Sequence, residues 1–421
     1  MIGRRISKAW PDAPHFSRAG HSASGHQTIF ACELGFIDDT HVTFNAGFLA
    51  TVRYAYPESR ICFFGSRNHV EELKREMGSS LAASICWKEI YPQRLGVSYC
   101  SRLSRELLII WRLLRSLSGN DADHLLFTSA YPATLVALKL LSSIFRPRVK
   151  LQVILHGLPG AVLGKRGRNP IRKLQDMKTA LMIFPHANIQ YVVLEKSIRQ
   201  PLEIHIPSLR GKIQSFDHPI VPNLGASIRN DLAIPMRFGF LGVAIARKGY
   251  PVFVRLAAAM KPKHRENVEF HAIGSIEGDD MISLDAAALE TQPSATRLGR
   301  PQFLNLLRKL HYVVLPHMPE DYELSAAGTL LDAIAWEKPV IARNIPIFQN
   351  MFEKYGDIGF LFDNENSLCE IVERILRKPD NSLYLRQVQN IRKARSERSP
   401  EALAESYRQI CAQTVTRRQV A

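Results

Sequence analysis

Residues 312–343, YVVLPHMPEDYELSAAGTLLDAIAWEKPVIAR, decide the fold of this chain. Val313, Val314, Leu315 and Pro316 end an apolar strand, residues 325–328 are small, residues 329–336 carry the apolar spacing of a helix, and residues 339–342 restart a sheet. A strand, a glycine-bearing loop and a helix start in that order make a phosphate site. Gly328 lets the backbone approach an anion. The free N–H groups of the next turn and the positive end of the helix dipole favour a diphosphate by about 0.3–2 kcal/mol before any cation is counted.

Outward from that stretch, short apolar runs alternate with longer helical patterns, which predicts βα units and parallel sheets covered by helices on both faces. In the first half the runs are 28–32, 60–64, 124–128, 150–156 and 190–194. Residues 217–222, DHPIVP, mark a linker by their two prolines. A second series follows at 238–242, 268–274, 312–316, 339–342 and 359–362. The chain has 421 residues, more than the roughly 250–300 at which single cores stop growing, so two α/β domains are expected. Their limits read as a basic tail over 1–26, a first domain over 27–222, a second over 223–399 and a closing segment over 400–421. In the last, Leu403, Tyr407, Ile410 and Cys411 share one face of a helix.

Composition narrows the function. Fifty-five Lys and Arg against 39 Asp and Glu give a net charge of +16, with 46% hydrophobic residues, so the chain is globular and strongly basic. That charge suits nucleic acid, anionic lipid or a phosphorylated substrate. Aromatic-basic RNA motifs, zinc fingers and a recognisable recognition helix are missing, which leaves nucleic acid the weakest of the three. The six cysteines are scattered without a Cys-x-x-Cys pair or a histidine at ligand spacing. This predicts reduced thiols of a cytosolic protein rather than a metal site or a disulfide scaffold. Residues 1–26 lack the apolar core of a secretory signal, and no run reaches the roughly 18 uncharged apolar residues of a membrane span. Two basic stretches remain as candidates for an anionic membrane surface: the helical pattern over 101–117, with arginines at 102, 105, 112 and 115, and the cluster Lys165, Arg166, Arg168, Arg172, Lys173 and Lys178. The first of these equally reads as a helix that covers the sheet.

In open α/β sheets ligands sit beyond the carboxyl ends of the strands. After residues 238–242, FGFLG, come Arg247-Lys248-Gly249 and a helix from about Pro251. After 268–274, VEFHAIG, comes Ser275. Three small-residue loops from one sheet, each bearing glycine and one of them bearing cations as well, converge on one crevice.

Gly242, Lys248-Gly249, Gly274, Leu315-Pro316, Asp332-Ala333 and Lys338-Pro339-Val340-Ile341 stand in an order that resembles the donor-binding half of GT-B glycosyltransferases of the family 4 type, over about residues 236–375. The resemblance implies the GT-B fold, two Rossmann-like domains facing across a cleft, and a retaining glycosyltransferase of the hexosyltransferase kind. Such an enzyme uses a nucleotide-diphosphate sugar as substrate, with no further cofactor and no metal. It also implies roles. Gly242, Gly274, Ser325, Gly328 and Thr329 would cradle the donor, Lys248 and Arg247 would take the charge of the leaving diphosphate, and Asp332 would hold the ribose hydroxyls. The family's first acid falls on Leu324, eight places before Asp332, and Glu323, one residue off, is the donor-binding candidate in its place. Val243 stands where an arginine is common. In the first domain, Asn45 and Gly47 would lie in a loop against the transferred sugar, and His156 would sit near the reacting centre, with His218 and Glu195 as weaker candidates. The implied partners are the nucleotide sugar, a glycan or polyprenyl-diphosphate-linked acceptor, and an anionic membrane surface. The implied setting is bacterial surface polysaccharide synthesis at the inner face of the plasma membrane. Leu324 and Val243 leave open a catalytically silent nucleotide-sugar-binding scaffold or sensor. A nucleotide-sugar epimerase or a phosphorylase is a third reading within the fold.

Overall fold

The computed structural model describes residues 27–37, 40–93, 96–117, 123–145, 147–156, 162–163, 175–184, 188–222 and 231–413. The tail over 1–26, the basic cluster over 165–173 and the end of the chain beyond 413 lie outside the described residues.

Seven strands build the first sheet: β1 (Thr28–Cys32), β2 (Arg60–Gly65), β3 (Cys86–Glu89), β4 (His124–Phe127), β5 (Lys150–Leu155), β6 (Ile189–Leu194) and β7 (Ile213–Phe216). Five build the second: β8 (Met236–Leu241), β9 (Val268–Ile273), β10 (Tyr312–Leu315), β11 (Val340–Arg343) and β12 (Gly359–Phe362). The strand orders are β3-β2-β1-β4-β5-β6-β7 and β12-β11-β10-β8-β9. Every pairing is parallel. Both sheets are doubly wound, and each has a switch point where the chain turns from one face to the other: between β1 and β4 in the first, between β8 and β10 in the second.

All five expected strands of the second domain are present, and five of the first domain's seven. The two that sequence patterning missed, β3 and β7, are the edges of the sheet. Their sequences, CWKE and IQSF, are only partly buried, so the continuous apolar run that betrays a central parallel strand is lacking. Each sheet is packed on both faces. Phe30, Cys32 and Phe127 point into one apolar cluster of the first domain and Ile29, Ala31 and Leu126 into the other, as the two-residue period of a strand requires.

The Pro400–Ala412 helix returns to the first domain. Leu403, Ala404, Tyr407, Ile410 and Cys411 join the cluster that holds Phe44, Phe48 and Val52 of the Val42–Ala55 helix, and Tyr407 Oη donates to Gln152 Oε1 at 2.6 Å. Just before it, Arg398 is 1% exposed and fastens the crossing. Its Nη1 and Nη2 donate to the two carboxylate oxygens of Glu195 at 2.6 and 2.9 Å, Nη1 also reaches the His218 carbonyl at 3.1 Å, and Nε meets Tyr355 Oη at 3.2 Å. Ile220 N donates to the Arg398 carbonyl at 3.1 Å. Glu195 and His218, weak site candidates in the sequence, are thus parts of the interdomain crossing, because only a carboxylate offsets a buried guanidinium.

The basic helix spans Tyr99–Ser116 and covers the sheet with Ile109, Ile110 and Leu113. Arg102 does not face outward: it is buried, donates to Glu106 Oε1 at 2.7 Å and to the Leu34 carbonyl at 3.3 Å, and stacks over Tyr131 at 4.2 Å. Among the described residues no helix is long and apolar enough to cross a membrane.

Candidate active site

At the second switch point, three glycines let three loops touch. Gly242 ends β8 with φ +85° and donates its N–H to the Ile273 carbonyl at 2.8 Å. A Cβ on Gly274, at φ +151°, would lie 2.0 Å from the Gly242 oxygen, and one on Gly249, at φ +75°, would lie 1.9 Å from the Pro316 oxygen. Only glycine permits either contact. Met318 N donates to the Arg247 carbonyl at 3.0 Å and stitches the β8 and β10 loops together.

Over this floor lies Lys248. Its Nζ is 2.7 Å from where a Gly242 Cβ would stand, and Thr329 Cγ2 is 3.4 Å from the same point. Burial, with Arg247 beside it, lowers the ammonium to a pKa of about 8, while Asp332 and Glu277 oppose the shift. Thr329 opens the Gly328–Ala335 helix, whose N-cap Ala327 supplies no side-chain hydrogen bond to the first turn. Open space surrounds the missing Cβ of Gly328. A half-buried cation therefore stands beside an uncapped helix start and a glycine corner, which is an arrangement for an oxyanion of high charge density. His317, buried at the end of β10, has Nε2 3.2 Å from Thr329 Oγ1. Burial and the neighbouring Lys248 keep its imidazole well below the usual histidine range, hence neutral. Patterning overlooked His317, although its place two residues beyond a strand end was visible.

Asp332 lies in the same helix, and its carboxylate is already engaged. Arg300 Nη1 donates to Asp332 Oδ1 at 3.1 Å, and Arg300 Nε is 3.4 Å from Oε1 of Glu76, on the Arg67–Met77 helix of the first domain. Burial raises the Glu76 carboxyl above its ordinary value against the pull of Arg300. Nothing in the sequence marks Arg300 or Glu76, because the two are joined only by the facing of the domains.

Gly242, Gly274, Lys248, Gly328, Thr329 and Asp332 thus come together, and Ser325 is half-buried on the loop that leads to them. The exposed Arg247 is their neighbour. Glu323 is directed elsewhere: its Oε1 is 3.2 Å from His205 Nε2 of the first domain.

Asn45 and Gly47 do not form a loop. The helix begins at Val42, so both are inside it. Asn45 is buried, with Nδ2 donating to Glu33 Oε2 at 3.3 Å and lying 2.8 Å from His69 Nε2. A Cβ on Gly47 would meet the Ile220 carbonyl at 2.3 Å, so that glycine exists to let the linker pass. The residue at the first switch point that patterning missed is Glu33, fully buried. Its carboxylate accepts from the N–H groups of Gly35 (2.7 Å) and Phe36 (3.2 Å), from Thr128 Oγ1 (3.0 Å) and from Ser129 Oγ. His156 ends β5 in a ring cluster: His41 stacks on it at 4.1 Å, Phe44 meets it edge-on at 4.2 Å and His218 at 5.4 Å. Burial holds His156 well below the ordinary histidine pKa and His218 down to about 3.

Residues 230–394 match the family model described as glycosyl transferases group 1. No curated protein matches the chain. Solved structures align over nearly its whole length. WaaG, described as a glycosyltransferase involved in lipopolysaccharide biosynthesis, is 11% identical with a TM-score of 0.61, covering 92% of this chain and all of its own. Alr3699/HepE of Anabaena, solved in complex with UDP, is 14% identical with a TM-score of 0.62 over 91% of this chain and 98% of its own. OtsA in its apo form is 10% identical with a TM-score of 0.64 over 92% and 99%. The molecule has the GT-B fold of two Rossmann-like domains. The match to the glycosyl transferases group 1 model falls on its second domain.

Proposed function

We propose that the protein is a retaining glycosyltransferase that moves a hexosyl unit from a nucleotide-diphosphate sugar to a glycan or polyprenyl-diphosphate-linked acceptor, in the synthesis of bacterial surface polysaccharide. The observation that carries this is the Lys248 ammonium held over Gly242 beside the uncapped start of the Gly328–Ala335 helix. The hard step is departure of a nucleoside diphosphate as negative charge grows on its oxygens. A preorganised cation and main-chain N–H groups stabilise that charge, each such contact contributing about 2.7–4 kcal/mol to the barrier in comparable oxyanion sites. Lys248, with Arg247 at the mouth, supplies the charge that a divalent metal supplies in other transferases, so turnover is expected to survive chelator. Asp332 would hold the ribose hydroxyls. His156, neutral and at the carboxyl edge of the first sheet, would face the acceptor side. UDP bound to HepE and the lipopolysaccharide role of WaaG support the donor class and the pathway class. The net charge of +16 supports a cytoplasmic protein peripheral to the anionic inner leaflet, to be checked by pelleting with anionic vesicles at low and high salt.

A thermal-shift series with UDP, GDP, dTDP and ADP tests the site: the cognate nucleotide at 100 times its dissociation constant stabilises by about 2.7 kcal/mol. Lys248→Ala is expected to abolish that shift, and an unchanged response removes Lys248 from the site. Transfer of a labelled sugar in the presence of chelator tests the reaction. Nucleotide binding without transfer or hydrolysis would instead establish a silent scaffold or sensor, the reading favoured by a leucine at the position of the family's first acid.

A further inference from the structure

Leu324 belongs to the second domain by sequence and to the first by packing. It is 0% exposed, and every other fully buried member of its apolar cluster lies between Phe30 and Ile213. Two residues on, Ala326 packs against that cluster and also against the cluster on the opposite face of the first sheet. The loop therefore runs across the carboxyl edge of the first domain. Glu323, at its entrance, reaches His205 of the Lys196–His205 helix. Two residues beyond Ala326, Gly328 opens the helix whose uncapped first N–H groups form part of the proposed diphosphate site. The segment that sets the direction of those groups is seated in the other domain.

We propose that Leu324 is a positioning residue: a cross-domain anchor that fixes the start of the Gly328–Ala335 helix, so that diphosphate affinity depends on the two domains being docked. Leu324 touches no reacting atom. It acts through the loop, and its effect must be confined to ligands that carry the diphosphate. The inference rests on the reading of that helix start as the diphosphate site.

The full chain tests it in three states: with the cognate nucleoside diphosphate, with the corresponding nucleoside, and without ligand. Leu324→Ala is expected to weaken the nucleoside diphosphate at least about tenfold, to leave nucleoside affinity unchanged, and to increase the radius of gyration of the free protein in small-angle X-ray scattering. Leu324→Met, which keeps the volume, is expected to restore both the diphosphate affinity and the radius. Lys248→Ala is expected to lose the diphosphate with no change in radius. Wild-type diphosphate affinity in Leu324→Ala overturns the proposal, as does an equal loss for nucleoside and diphosphate, which would mark general damage. Should Leu324→Ala fail to fold, Leu324→Val and His205→Ala carry the same readouts with smaller truncations. If the wild-type protein binds no nucleoside diphosphate, the assignment of the site fails, and an unchanged radius in Leu324→Ala then rejects the anchor on its own.

Discussion

The two switch points of this molecule are built in opposite ways. In the second domain the gap between β8 and β10 is kept open by glycines and carries one half-buried lysine whose charge the surroundings only partly offset. In the first, the gap between β1 and β4 is filled by Glu33, whose carboxylate is saturated by hydroxyls, an amide and two backbone N–H groups. A buried acceptor with all its donors supplied is a strut. A cation whose charge is only partly offset fits the diphosphate site proposed above. The same topology therefore gives one edge whose polar groups are used up in internal hydrogen bonds and one whose cation is left partly unpaired, as the proposed diphosphate site requires.

The largest expected effect breaks the strut. Glu33→Ala should lower folding stability by about 3 kcal/mol or more, since it strands several buried donors at once, and should leave nucleotide affinity intact once the protein is folded. Urea unfolding and calorimetric titration read the two, and an unchanged unfolding midpoint would erase the contrast. Gly274→Ala acts on the other edge. Its Cβ would collide with the Gly242 carbonyl, so a loss of about 1–3 kcal/mol is expected, together with weaker diphosphate binding because the floor beneath Lys248 moves. A variant that is less stable but binds normally would show that the glycine floor and the anion site are separate.

The smallest effect sharpens the comparison through pH. His156 and His218 are neutral in the fold, whereas an unfolded chain protonates histidine near pH 6.5. Below about 6.5 the unfolded state takes up protons that the native state refuses, so the first edge loses stability as pH falls, continuing toward the His218 value of about 3. Lys248 runs the other way in binding. With a pKa of about 8 in the free protein, it discharges as pH rises through that value, and diphosphate affinity is expected to fall above about pH 8. Titrations from pH 6 to 10 with the wild type and Lys248→Met separate its contribution, and identical slopes would discharge Lys248 from the site.

What patterning could reach is visible in particular residues. Gly242, Gly249 and Gly274 stood out because close backbone approach requires glycine wherever two strand ends meet, and their spacing from the apolar runs is local information. Asp332 was placed correctly on its helix, but its tie to Arg300 and through it to Glu76 was not legible, since Arg300 stands 224 positions after Glu76 (300 − 76). Asn45 and Gly47 were misassigned for a related reason. The helix start at Val42 has no side-chain cap to announce it, and His41 turns the chain in a left-handed conformation unusual for a residue with a Cβ.

By itself the amino-acid order settled the central strands of both sheets, the two doubly wound domains and the glycine corners at the second switch point, because all of these depend on neighbours a few residues apart. The tertiary structure alone decided that Glu33 is a buried strut, that Arg398 locks the crossing between domains, and that Leu324 seats itself in the domain opposite its own. Those outcomes follow from burial and charge pairing between segments far apart in the chain, and neither quantity exists until the sheets have closed and the lobes have met.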